Sequence, residues 1–131
     1  MSEVKGIITS VKGQIATVEL LGDQYPSEFE ILTAENQSDI ILEVFSQSKS
    51  AVFCQILSSP DKLYRGMAVR GTGTDLKVPV GQGVLGRVID LFGHPQDNSG
   101  PISQDLKTSI YSQAPSLSIV QTRYQILESG I

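Results

Sequence analysis

Val4-Lys-Gly-Ile-Ile-Thr-Ser-Val-Lys-Gly-Gln-Ile-Ala-Thr-Val-Glu-Leu20 holds two β-rich runs, Val4 to Val11 and Gln14 to Leu20, parted by a turn signal at Lys12-Gly13. In the second run Ala16, Val18 and Leu20 alternate with Ile15, Thr17 and Glu19. A period of two places alternate residues on opposite faces of an extended strand, and glycine in a short connection supplies the positive φ of a tight turn. The stretch predicts a β-hairpin with one packed face.

Working outward, the runs stay short, rich in Ile, Val and Thr, and bounded by turn residues. Phe29 to Thr33 follows the Gly22 to Ser27 loop, and Ile40 to Gln47 joins Ala51 to Leu57 across Ser48-Lys49-Ser50 as a second hairpin. Met67 to Arg70 and Leu76 to Val80 complete the series across Gly71 to Asp75. No long amphipathic helix competes, so the fold class is all-β, a small closed barrel or a sandwich. From Gly81 onward, glycines and prolines punctuate the chain and regular structure thins out. Ile102 to Val120, polar and serine-rich, reads as an extended connector over a surface. Tyr124 to Ile131 has no closing cap, and the chain is expected to continue into another domain.

Composition narrows the function. The 131 residues suffice for one packed domain, with 40% apolar and 18% charged residues. A net charge of −4 without any Lys/Arg cluster argues against binding a phosphate backbone. No apolar stretch is long enough to span a bilayer as a helix, and Met1 to Gly6 lacks a leader pattern, so direct membrane insertion is not expected. The single cysteine, Cys54, lies in the apolar run Ala51 to Leu57 and reads as an inert core thiol.

Local motifs point to no chemistry. Gly81-Gln-Gly83-Val-Leu-Gly86 satisfies G-x-G-x-x-G, but Gly93-His-Pro95 interrupts any helix that would face a pyrophosphate, so a glycine-rich bend at a barrel mouth is the simpler reading. No G-x-x-x-x-G-K-[ST] string occurs. Ser46-Gln-Ser-Lys49 fits S-x-x-K without its companion motifs and reads as a hairpin loop. His94 sits in a turn without a second histidine, and Asp61, Asp75, Asp90 and Asp97 flank turns. Asn36-Gln-Ser38 matches a sequon, but with no leader pattern in Met1 to Gly6 it is not expected to be glycosylated. No catalytic, cofactor-binding or metal-ligating residue is assigned.

Taken in order, the motifs from Leu63 to Ile131 resemble the beta (catalytic) subunits of F-type ATP synthases. Leu63-Tyr-Arg65-Gly66-Met67-Ala-Val69 is similar to the family's L-x-R-G-x-x-V, Thr72-Gly73 to its T-G turn, and Val78-Pro79-Val80-Gly81 to its V-P-V-G. Leu85-Gly86-Arg87-Val88, Gly93-His-Pro95-Gln-Asp97 and Gly100-Pro101-Ile102 resemble L-G-R-V, G-x-P-x-D and G-P-I. Ala114-Pro115 and Ile126 to Ile131 resemble the connector and the stretch that leads into the nucleotide-binding domain, with Glu128 favouring beta over alpha. Gly6-Ile7 and Leu42-Glu43-Val44 fit the upstream barrel. Arg70-Gly71, Gln96 and Ser129 depart from the beta pattern, and Arg70-Gly71 is closer to the alpha subunit.

The resemblance implies a six-stranded barrel over residues 1–80, followed over 81–131 by an irregular, extended connector and the start of an α/β nucleotide-binding domain. It further implies a non-catalytic collar that joins alternating alpha and beta subunits in the hexamer that makes ATP using a transmembrane proton or sodium gradient. Mg-ATP or ADP would be held by later parts of the full-length protein, with no cofactor in this segment. The implied partners are alpha subunits, and the implied place is the cytoplasmic face of a membrane, as a peripheral component; the chain alone is expected to be a monomer or to self-associate weakly. The alternatives are the alpha paralogue, an archaeal-type relative, a free-standing barrel module such as an OB-like oligonucleotide binder, or an enzyme at the Gly81 to Gly86 bend.

Overall fold

The opening hairpin forms where alternation requires it. In the computed structural model, which describes residues 4–102, 106–120, 123 and 126, β1 (Lys5–Lys12) pairs antiparallel with β2 (Ile15–Leu20). Lys12 faces Ile15 across a two-residue loop whose first member, Gly13, takes φ 58°. Such a short loop needs left-handed backbone to match the twist of its strands. Ala16 and Val18 are sealed in the core, and Ile15 on the opposite face is exposed.

Four more strands close the sheet on itself: β3 (Ile31–Ala34), β4 (Gln37–Gln47), β5 (Ala51–Ile56) and β6 (Ala68–Gly71). The order around the barrel is β1-β2-β5-β4-β3-β6, with β6 returning to β1, and every pair is antiparallel. Closure satisfies both edges of every strand, so no free ladder remains for another strand to join. Register shifts between Ile8 and Ser10 in β1 and between Val44 and Ser46 in β4 mark bulges, which bend strands sharply enough to close a small barrel. Phe45, the extra residue in β4, is exposed as a result.

Ile8, Val18, Leu32, Ile40, Leu42, Val44, Val52, Cys54 and Val69 fill the interior. Each fully buried aliphatic side chain contributes roughly 2 kcal/mol from its removal from water. One interior position has no room for a side chain: a Cβ on Gly6 would lie 2.5 Å from Val18 Cγ1, so only glycine lets β1 and β2 approach there.

The strands differ from the sequence pattern in three places. Phe29 is not in β3 but in the turn before it, at φ 64°. β4 begins at Gln37, three residues ahead of its apolar run, because Ala34 and Gln37 already pair across the Glu35-Asn36 turn. Leu76 to Val80 does not join the barrel: β7 (Lys77–Pro79) pairs instead with β8 (Lys107–Ser109), inside the segment read as a plain connector. Pro79 lacks the N–H a central strand would require; a two-stranded ladder tolerates it. Of the resemblance's last stretch, only Ile126 lies among the described residues, and Glu128 lies outside them.

Candidate functional site

Cys54 is fully buried on β5, and burial pushes its thiol up to about 12, so it stays protonated and inert at neutral pH. Gly81 and Gly86 both take positive φ, 100° and 71°, but only a three-residue 3-10 turn, Gln82–Val84, lies between them. A turn that short presents no helix N-terminus to a phosphate. The bend therefore lacks the helix that a G-x-G-x-x-G phosphate site requires. Ser46 and Lys49 belong to the β4–β5 hairpin, closed by Ser48 N–H donating to the Ala51 carbonyl at 2.8 Å. Asn36 and Ser38 flank the start of β4.

The aspartates organise turns. Asp90 Oδ1 accepts from the backbone N–H groups of Phe92 and His94 at 2.9 and 2.8 Å, and His94 Nδ1 lies 2.9 Å from Asp90 Oδ2. Desolvation raises Asp90, but these hydrogen bonds outweigh it and leave the carboxyl below its ordinary value. Asp97 receives Arg87 in a two-pronged pair, Nε to Oδ2 at 2.6 Å and Nη2 to Oδ1 at 3.0 Å, plus the N–H groups of Val88 and Ser99. Arg87 first, then these backbone donors, hold Asp97 well below the usual carboxylate range, and the same pair raises Arg87. Arg87 also donates to the Gly100 carbonyl at 2.6 Å. Arg87 and Asp97 sit in two motifs of the resemblance, but nothing in their spacing announced that they pair. Asp61 lies in an exposed 3-10 turn, Pro60–Lys62, and Asp75 bonds the Ser109 hydroxyl of β8.

Three residues whose side chains are assigned no role from sequence meet on the outside of the barrel. Tyr111 lies against Phe29, ring centroids 4.1 Å apart and 16° from parallel, and its hydroxyl donates to Glu43 Oε1 at 2.7 Å. Glu30, also buried, accepts from Ser27 N–H at 2.9 Å and Gly73 N–H at 3.0 Å, pinning the turn before β3 to the turn after β6. No sequence period flags a buried glutamate; only the folded turns show the donors waiting for it.

Among the described residues no group of three or more His, Cys, Asp or Glu gathers as a metal site, and no buried side-chain N or O lacks a hydrogen-bond partner. The polar groups are consumed in holding turns, and the site that remains to be explained is the barrel itself. A family model described as ATP synthase alpha/beta family, beta-barrel domain, matches residues 8–73, just over half of the chain, and covers the barrel strands from the fourth residue of β1 to the end of β6. The closed six-stranded barrel and that match place the chain in the ATP synthase alpha/beta family, of which it carries the beta-barrel domain.

Proposed function

We propose that this chain is the N-terminal barrel of an ATP synthase beta subunit, the collar that holds beta subunits between alpha neighbours in the hexamer that makes ATP from ADP and phosphate. The observation that carries it is the family match over the closed barrel. A barrel suits a collar because every backbone pair is satisfied within it, so neighbours are met through side-chain faces and deformation must break several ladders together. Arg65-Gly66 and Glu128 support beta, Val78 to Gly81 counts against an archaeal-type relative, and Arg70-Gly71 supports alpha as the second reading.

In this reading Mg-ATP, ADP and the reacting groups belong to the parts of the subunit that follow, at the cytoplasmic face of a membrane whose proton or sodium gradient drives synthesis. Native mass spectrometry of the chain mixed with the alpha and beta subunits of the same synthase tests it. Complexes with alpha, and none with beta, are expected; binding to beta alone would assign the chain to alpha, and binding to neither would remove the collar role. Calorimetry with ATP, ADP and NAD should give no micromolar binding to the chain alone.

A further inference from the structure

Strand alternation places Leu42 and Val44 of β4 in the core and therefore turns Glu43 outward. Glu43 is nevertheless only 8% exposed, and so is its cross-strand partner Ile31, at 7%, which stands outside the main core cluster. Something outside the wall covers this spot. The group that covers Glu43 is Tyr111, which reaches it from two residues past β8, oriented by its own N–H donating to Ser109 Oγ at 3.0 Å.

The seat is shaped for the ring. Phe29 takes a left-handed φ of 64° that phenylalanine rarely adopts, while its N–H donates to the Val44 carbonyl at 2.9 Å. That conformation is held by the Glu30 carboxylate anchoring both Ser27 and Gly73. Backbone strain of this kind persists only where its surroundings enforce it; here it leaves the Phe29 ring stacked on Tyr111.

We propose that Tyr111 is a latch: it clips the β7–β8 segment onto the outer wall of β4, in a seat made by Phe29 and Glu43, and its release frees that segment while the barrel stays closed. The two halves of the latch are separable, because the ring stack and the phenol-to-carboxylate hydrogen bond are distinct interactions. The latch adds to bonds within the ladder, where β7 and β8 pair with each other and Val80 N–H and Ile110 N–H donate to the Leu106 and Leu76 carbonyls, so its loss loosens the ladder without dissolving it. Burial, then Glu43 and Asp75, push the Tyr111 phenol up to about 12, so the hydroxyl stays a donor to Glu43 at neutral pH. Latched, Glu43 is sealed; released, it faces water.

Two readouts on the whole chain test this. Carbodiimide-driven amidation should spare Glu43 in the parent chain while modifying exposed Glu19, and should modify both in Tyr111→Ala. Hydrogen exchange at Val80 and Ile110 should accelerate about tenfold in Tyr111→Ala and by less in Tyr111→Phe, which keeps the stack but loses the hydroxyl. Amides of β2 and β5 should exchange at the parent rate in both variants. Glu43 protected in Tyr111→Ala, or exchange accelerated equally in the barrel and in the ladder, would overturn the latch.

Discussion

In the barrel, Leu42 and Val52 are sealed from water, whereas past β7 Leu85, Leu106 and Leu117 are all more than half exposed. Both regions are comparably furnished with large apolar residues, yet only the first turns them into a core. The barrel draws its order from burial shared among six strands. The following segment draws its order from polar anchors at turns: Asp97 with Arg87, Asp90 with the backbone of residues 92 and 94, and Asp75 with Ser109. Order of the first kind is cooperative and fails all at once; order of the second kind is local and fails piece by piece.

The sharpest way to test that contrast is to open a hole in the core. Leu42→Ala is expected to lower barrel stability by about 3 kcal/mol, the usual penalty for a lost side chain and the cavity it leaves. Denaturant unfolding followed by far-ultraviolet circular dichroism measures it. Labelling of Cys54 by a maleimide should follow the same transition, because its thiol is reachable only when the barrel opens.

A steric change in the second region should be smaller and confined. Gly93 takes φ 84°, and a Cβ there would lie 2.7 Å from Pro79 Cδ on β7. Gly93→Ala is expected to destabilise the ladder by about 1–2 kcal/mol through left-handed strain and the collision. Hydrogen exchange would register this at Val80 while β1 to β6 keep their protection; a matching loss across the barrel would break the contrast.

Removing a polar anchor should leave the barrel untouched. Arg87→Ala is expected to speed proteolysis between residues 88 and 100 several-fold with no change in the barrel's unfolding midpoint. The pH dependence has a definite sign. Arg87 and the backbone donors lower Asp97 from 3.8 in the folded chain, so its contribution is complete above that value. The contribution is lost as pH falls through the depressed folded value. Protection of residues 88–100 should thus persist to about pH 4 and decay in stronger acid, and Arg87→Ala should decay at higher pH. The smallest effect belongs to Lys62→Ala: both members of the Lys62–Asp39 pair are exposed, and such pairs add little to stability. No measurable shift in midpoint is expected.

How much of this was legible before folding differs between the same two regions. The hairpin from Lys5 to Leu20, the β4–β5 hairpin and the inertness of Cys54 followed from period, turn residues and composition, because each depends on neighbours close in sequence or on burial of an apolar run. The assignment of Leu76 to Val80 to the barrel did not hold. A short apolar run shows that a strand is present, but not which distant segment will pair with it, and its partner Lys107-Thr-Ser109 has no apolar pattern to detect. The Arg87–Asp97 pair was hidden for the same reason.

The sequence by itself determined the all-β class and, through the motifs from Leu63 onward, a resemblance that the family match over residues 8–73 bears out at the level of the alpha/beta family. These are properties of local pattern and motif order, written along the chain. The six-stranded barrel that the resemblance implies does close, but only the tertiary structure decided which six strands form it and that the seventh leaves. It also showed that Phe29 turns left-handed, that Glu30 bridges two turns, and that Tyr111 covers Glu43 on the outer wall. Each of these joins residues far apart in sequence, where the outcome depends on which groups reach one another once the barrel has closed.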